Sequence, residues 1–189
     1  MNEALKHAVN PTSRRGQEPP FRAPPEPSPL KDILFLLAKI AVILVAFLLI
    51  FTFMYGLCRN TDASMAPSVK DGDLVIFYRL DKKYVAQDTL VLEFEGQMQV
   101  RRVIATAGDV VDITEDGLVI NGALQQETGI YESTQRYENG VEFPLTVGEG
   151  QVFVLADSRV NVADSRIYGA VEIKDTLGKV MTIFRRRNI

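Results

Sequence analysis

The 189-residue chain has one cysteine (Cys58), one histidine (His7) and no tryptophan. A single cysteine excludes a disulfide framework and any cysteine-cluster metal site. A single histidine near the start excludes a histidine-rich metal centre and argues against a Ser-His-Asp triad. Positive charge is not in excess either: 21 Lys and Arg face 24 Asp and Glu, a net charge of −3. That balance carries no nucleic-acid signature. No metal or cofactor is expected, and any hydrolytic chemistry must run on Ser, Lys, Asp or Glu.

What is present falls into three unlike segments. Seven of the nine prolines lie in the first thirty residues, so 1–32 is expected to be a disordered Pro-rich tail. From Ile33 to Tyr55 the chain is apolar, with Lys39 the only charge in 23 residues. Such a run reaches roughly 35 Å as a helix, enough to cross a hydrocarbon core of about 30 Å. The transmembrane helix is therefore expected over 33–57, with Lys39 near enough to one end to snorkel toward headgroups. Lys6, Arg14, Arg15, Arg22 and Lys31 precede the run, whereas Arg59 and Lys70 are the first basic residues after it. The tail should stay cytoplasmic and the rest lie outside the cell membrane.

From residue 58 to 189 the pattern becomes short β-like runs. Leu74–Tyr78, Thr89–Phe94, Gln97–Ile104, Val110–Ile113, Leu118–Ile120, Val152–Leu155 and Lys179–Phe184 are divided by turn signals. Asn121-Gly122 is the strongest hairpin marker among them. No amphipathic helix of useful length interrupts the series. An all-β, antiparallel domain on one N-terminal membrane helix follows. From Asn60 onward it holds 14 basic and 20 acidic side chains, so it is acidic by about six charges.

Three motifs stand out: Ser64-Met65-Ala66-Pro67, Arg101 to Asp109, and Asp157 to Arg166. In this order behind a membrane anchor they resemble the type I signal peptidases, serine endopeptidases of the Ser-Lys dyad type that remove signal peptides from exported precursors. Family motifs read S-M-x-P, K-R-V-x-G-x-P-G-D and G-D-N-R-x-N-S-x-D-S-R. The chain agrees at Ser64, Met65 and Pro67; at Arg102, Val103, Gly108 and Asp109; and at Asp157, Arg159, Asn161, Asp164, Ser165 and Arg166. The resemblance implies that Ser64 is the nucleophile position and that Asp164 and Arg166 are structural residues near the site.

Three supporting positions depart from the pattern. Arg101 stands where the family has its general-base Lys, unless the register slips so that Arg102 fills that place. A guanidinium holds its proton far above neutral pH, and neutralising one near pH 8 would cost about 8 kcal/mol. General-base catalysis contributes only about 10²–10⁴-fold. Val162 replaces the hydroxyl that orients the amine, and Asp62 replaces the hydroxyl on the oxyanion side. Two readings follow. One is a membrane-bound binder of exported precursors or pilus subunits with little or no proteolysis, similar to dyad-lacking pilus-associated homologues of Gram-positive bacteria. The other is an active signal peptidase with an unusual base such as Asp62. A buried Arg101 is expected to pair with Asp62, and the rim beside Ser64 to expose Met65.

Overall fold

The computed structural model describes residues 29–185. The expected Pro-rich tail therefore lies almost wholly outside the described residues. The chain divides into two compact units, 1–43 and 44–189. The described part of the first is helical. Helix α1 runs Pro29–Met54 and none of its residues is buried. At about 1.5 Å per residue, 26 residues reach roughly 39 Å.

The helix begins and ends earlier than the expected 33–57. Pro29 suits a first helical position, where a missing N–H costs nothing, and Asp32 in the first turn complements the helix dipole. At the other end the Met54 carbonyl accepts the Arg79 N–H at 2.9 Å, outside the helix. Tyr55–Arg59 then forms strand β1, paired antiparallel with β2 (Leu74–Tyr78). Tyr55 to Leu57 are thus strand, because ladder bonds to β2 replace the helical ones. The rings of Phe47, Phe51, Tyr55 and Tyr78 follow one another at 4.4, 5.2 and 5.3 Å across this junction.

The remaining strands are β3 (Thr89–Phe94), β4 (Gln97–Thr106), β5 (Val110–Thr114), β6 (Gly117–Ile120), β7 (Ala123–Leu124), β8 (Leu145–Thr146), β9 (Gln151–Leu155), β10 (Val171–Glu172) and β11 (Thr176–Phe184). One four-residue helix, α2 (Ser165–Tyr168), precedes β10. Seven strands form one sheet in the order β1-β2-β11-β3-β4-β9-β10, and four form a second in the order β7-β6-β5-β8. Every described pairing is antiparallel. The fold is the expected antiparallel β architecture behind one N-terminal apolar helix. Asn121 and Gly122, both at positive φ, close the β6–β7 hairpin as their sequence requires.

Alternation along the strands decides which side chains meet the site. Arg101 and Arg102 are neighbours on β4, paired with Leu90 and Thr89 of β3. Their side chains therefore leave opposite faces of the large sheet. On one end of that sheet, Cys58, Val75 and Phe77 point into a core that also holds Met65, Val69, Val91 and Val100. Burial raises the Cys58 thiol above its ordinary range, which keeps it unreactive. The outward rows of the same strands carry Leu57, Leu74 and Phe184, with Met181 at a bulge in β11. These four are exposed. Met65 is fully buried, so the apolar surface comes from strands β1, β2 and β11 rather than from the Ser64 loop.

Candidate active site

The loop that carries Ser64 spans the gap between β1 and β2. Asn60 closes it: its N–H bonds Asp73 and its carbonyl accepts from Gly72, both at 2.9 Å. Its side-chain amide donates to the carbonyls of Asp62 (2.6 Å) and Lys70 (3.1 Å). Inside the loop, Ala66 N–H bonds Ala63 and Val69 N–H bonds Met65, which winds the chain into a helix-like turn. Met65 and Val69 anchor that turn in the core. Ser64, which sits between the polar rim and this anchor, is 6% exposed.

Asp62 makes two contacts through one oxygen. Its Oδ1 accepts the Ser64 hydroxyl at 2.7 Å and the Ser64 backbone N–H at 3.1 Å. On the other side of the hydroxyl, Arg101 Nη1 donates to Ser64 Oγ at 2.9 Å. The rest of the guanidinium is turned to carbonyls: Nε and Nη2 both donate to Ala163 (2.9 and 2.8 Å), and Nη1 also to Val100 (2.7 Å). Arg101 is 1% exposed.

The structure thus brings Asp62, Ser64 and Arg101 together, and it places Arg101 rather than Arg102 at Ser64. It does not form the expected direct ion pair between Asp62 and Arg101. The Ser64 hydroxyl stands between the two charges and bonds both. The fork of the guanidinium is held by the Ala163 carbonyl, whose two bonds fix its plane away from the carboxylate.

Val162 is half-buried against the core cluster of Met65 and Val100. Its side chain brings no hydrogen-bonding group to Arg101, but its N–H donates to the Tyr137 hydroxyl at 3.1 Å. Asp164 and Arg166 lie behind it as a buried bidentate pair, with Nε–Oδ1 at 2.9 Å and Nη2–Oδ2 at 2.8 Å. Asp164 also accepts the N–H groups of Ala156 and Arg166, and so caps α2. Arg166 donates to the Arg159 carbonyl at 2.8 Å, and its guanidinium lies 4.6 Å from the Tyr137 ring centre. These two residues close the 156–166 segment on itself and touch neither Ser64 nor Asp62 through any described hydrogen bond.

Several contributors have no motif to reveal them. Tyr137 comes from the long segment between the small sheet's strands. Glu132 of that segment accepts the Arg159 N–H (2.7 Å) and the Ser158 hydroxyl (3.1 Å). Tyr168 is half-buried beside Arg101; desolvation pushes its phenol up despite the opposing guanidinium. Its hydroxyl and Gln99 Oε1 are buried without hydrogen-bond partners. The only sequence signal for Gln99 was its position two residues before Arg101 on one strand face. Ser64 lines a pocket of about 380 Å³ together with Gln99, Ser158, Val160 and Asn161 besides the residues above. No lysine lines it.

Arg102 works elsewhere. It grips Asp157 with two bonds of 2.7 Å and Ser68 with one of 3.1 Å. The Asp157 hydrogen bonds raise its already high proton affinity further, against the desolvation that opposes them.

Comparison with known proteins adds the lineage. The family model described as "Signal peptidase, peptidase S26" matches residues 33–185. The "Signal peptidase I" of Bacillus licheniformis is 30% identical over 158 residues, covering 77% of this chain and 83% of that protein. "Probable signal peptidase I-1" of Synechocystis is 27% identical over 173 residues, covering 85% and 86%. A crystal structure of a signal peptidase I from Enterococcus faecalis V583 is 29% identical, with a TM-score of 0.44, and covers 53% of this chain and 97% of that one. With a family match that runs from the apolar helix to the end of β11, the chain belongs to the signal peptidase family.

Proposed function

We propose that the protein engages extended segments of exported precursors, pilus subunits among them, at the outer face of the cell membrane, with proteolysis strongly attenuated. The tail before α1 lies on the cytoplasmic side and the β domain outside, as the basic residues before the helix favour. One observation carries this reading. Asp62 Oδ1 accepts both the Ser64 hydroxyl proton and the Ser64 backbone N–H. The first is the proton a base must remove, and the second is a donor that acyl transfer needs for its oxyanion. The Arg101 guanidinium, which donates to Ser64 Oγ rather than accepting from it, then stands in the place of the base. The client strand is held by main-chain bonds and by the Ser64 pocket.

The same 2.7 Å contact favours a second reading, in which Asp62 is itself the base and Ser64 cleaves precursors slowly. Purified full-length protein in detergent, incubated with a signal-peptide-bearing precursor, decides between them by mass spectrometry of the products. The expected result is co-purification of the precursor with no cleavage that Ser64→Ala abolishes. Ser64-dependent cleavage that is lost in Asp62→Asn would establish the second reading.

The exposed face of β1, β2 and β11 fits a lipid surface. A fragment beginning at Tyr55 is expected to float with uncharged phosphatidylcholine vesicles. Replacing Met181 and Phe184 by Glu should weaken that binding by about tenfold each, since each loses roughly 1.5 kcal/mol of apolar transfer. Flotation that ignores both changes would remove this face from the membrane contact.

A further inference from the structure

Helix α1 ends at Met54, and Lys39 is the last charged residue before that end. Along the chain the next charge is Arg59, at the far end of β1. In space a different one comes first. Strand β2 runs back along β1 until Tyr78 pairs with Tyr55, and the residue after Tyr78 meets the end of the helix. The Arg79 N–H bonds the Met54 carbonyl at 2.9 Å, and Arg79 Nε donates to the Tyr55 carbonyl at 3.2 Å. A helix leaves its last carbonyls open, and its dipole favours a cation at that end.

These two bonds fix Arg79 without using up its donors. The side chain is exposed. Among the described residues no group bonds Nη1 or Nη2, and none forms an ion pair with Arg79. Leu80, the next residue, is 66% exposed. Lys83 follows in a turn that its N–H closes on the Asp81 carboxylate at 3.1 Å. Its amine is exposed and has no partner among the described residues. Lys82 differs, since its amine donates to the carbonyls of Lys174 (2.8 Å) and Thr176 (2.6 Å). Residues 79–83 therefore carry three basic side chains and one acidic, in a domain where acidic groups outnumber basic ones.

Two features at this level point to a lipid. The half-buried rings of Tyr55 and Tyr78 lie 5.3 Å apart at the end of the helix, and tyrosine is enriched at the headgroup level of membranes. A guanidinium with two open N–H groups matches two oxygens of a phosphodiester. With α1 in a bilayer, its end lies where hydrocarbon gives way to headgroups. Arg79 is tied to that level by main-chain carbonyls.

We propose that Arg79 and Lys83 form a docking site for the phosphodiester of a membrane phospholipid, with Leu80 against its acyl chain. The site requires only that α1 crosses a bilayer. It serves a domain that cleaves precursors as well as one that only binds them.

Native mass spectrometry of the full-length protein in an uncharged detergent tests this. The probes are phosphatidylcholine and a galactosyl diglyceride with the same acyl chains, which is uncharged and lacks the phosphate. Phosphatidylcholine is expected to be retained about tenfold more than the galactolipid, the span of one charge-assisted contact. Arg79→Gln and Lys83→Gln should each lower phosphatidylcholine retention severalfold and leave the galactolipid unchanged. Lys83 has no described side-chain contact to lose, so its variant keeps the test decisive even if Arg79→Gln loosens the end of the helix. Equal retention of the two lipids, or phosphatidylcholine retention that Lys83→Gln does not change, would overturn the site. Loss of both lipids together in Lys83→Gln would reduce the contact to apolar packing and overturn it too. None of these outcomes bears on whether precursors are engaged.

Discussion

Arg166→Ala should cost the β domain about 3–5 kcal/mol of stability, because it leaves the Asp164 carboxylate buried without its countercharge. The two side chains are 1% and 0% exposed, so water cannot replace the lost partner. Asp164 is also tied to Ala156 and to the start of α2, and the fault would spread through the whole 156–166 segment. For a domain of this size the loss corresponds to a fall of roughly 10 °C in melting temperature. The Arg136–Asp112 pair is the internal control. Its side chains are 48% and 29% exposed, and Asp112→Ala should cost less than about 1 kcal/mol. Thermal melts of both variants in detergent test the contrast. Equal losses would mean that the buried pair contributes no more than a surface one.

The second large effect concerns chemistry. Arg101→Lys alone is expected to leave precursor cleavage at its starting level. Asp62 remains bonded to Ser64 through both the hydroxyl and the N–H, and a lysine beside that carboxylate keeps its proton. Val162 offers the amine no hydroxyl to orient it. Changing Asp62→Ser, Arg101→Lys and Val162→Ser together frees the Ser64 N–H, supplies a neutralisable base and restores the orienting group. Ser64-dependent cleavage should then rise by about 10²-fold or more, the span that general-base catalysis supplies. Recovery in Arg101→Lys alone would show that the two flanking residues do not hold the site closed. Failure of a triple variant that melts like the parent would assign the block to something other than these three side chains.

Much of the fold was legible because alternation and turn chemistry act locally. Leu74–Tyr78 and Thr89–Phe94 form strands over the residues their β-branched and aromatic content marks. The two-residue strands β7, β8 and β10 were not legible, since two paired residues have no period. Strand β1 was hidden for a different reason. Tyr55 to Leu57 continue an apolar run, and only the partner strand β2 makes them extended. In the site, motif spacing located Ser64 and Arg101. Charge alone then misjudged their neighbour: opposite signs pointed to an ion pair, whereas a hydroxyl between them and the Ala163 carbonyl satisfy both groups. Tyr137 and Glu132 were beyond reach, because their contacts join segments more than twenty residues apart and no spacing rule connects them.

The junction between α1 and β1 has a consequence for how the protein meets its clients. Met54 and Tyr55 are adjacent in the chain, so helix becomes sheet with no linker, and Ser64 follows ten residues after the helix ends. A flexible tether would let the domain sample a volume that grows with its length. Between Leu44 and Ser64, within one compact unit, no tether of that kind intervenes. Ten residues reach at most roughly 35 Å even when fully extended. A client must therefore come within that distance of the helix's end to reach the serine, whatever its side chains.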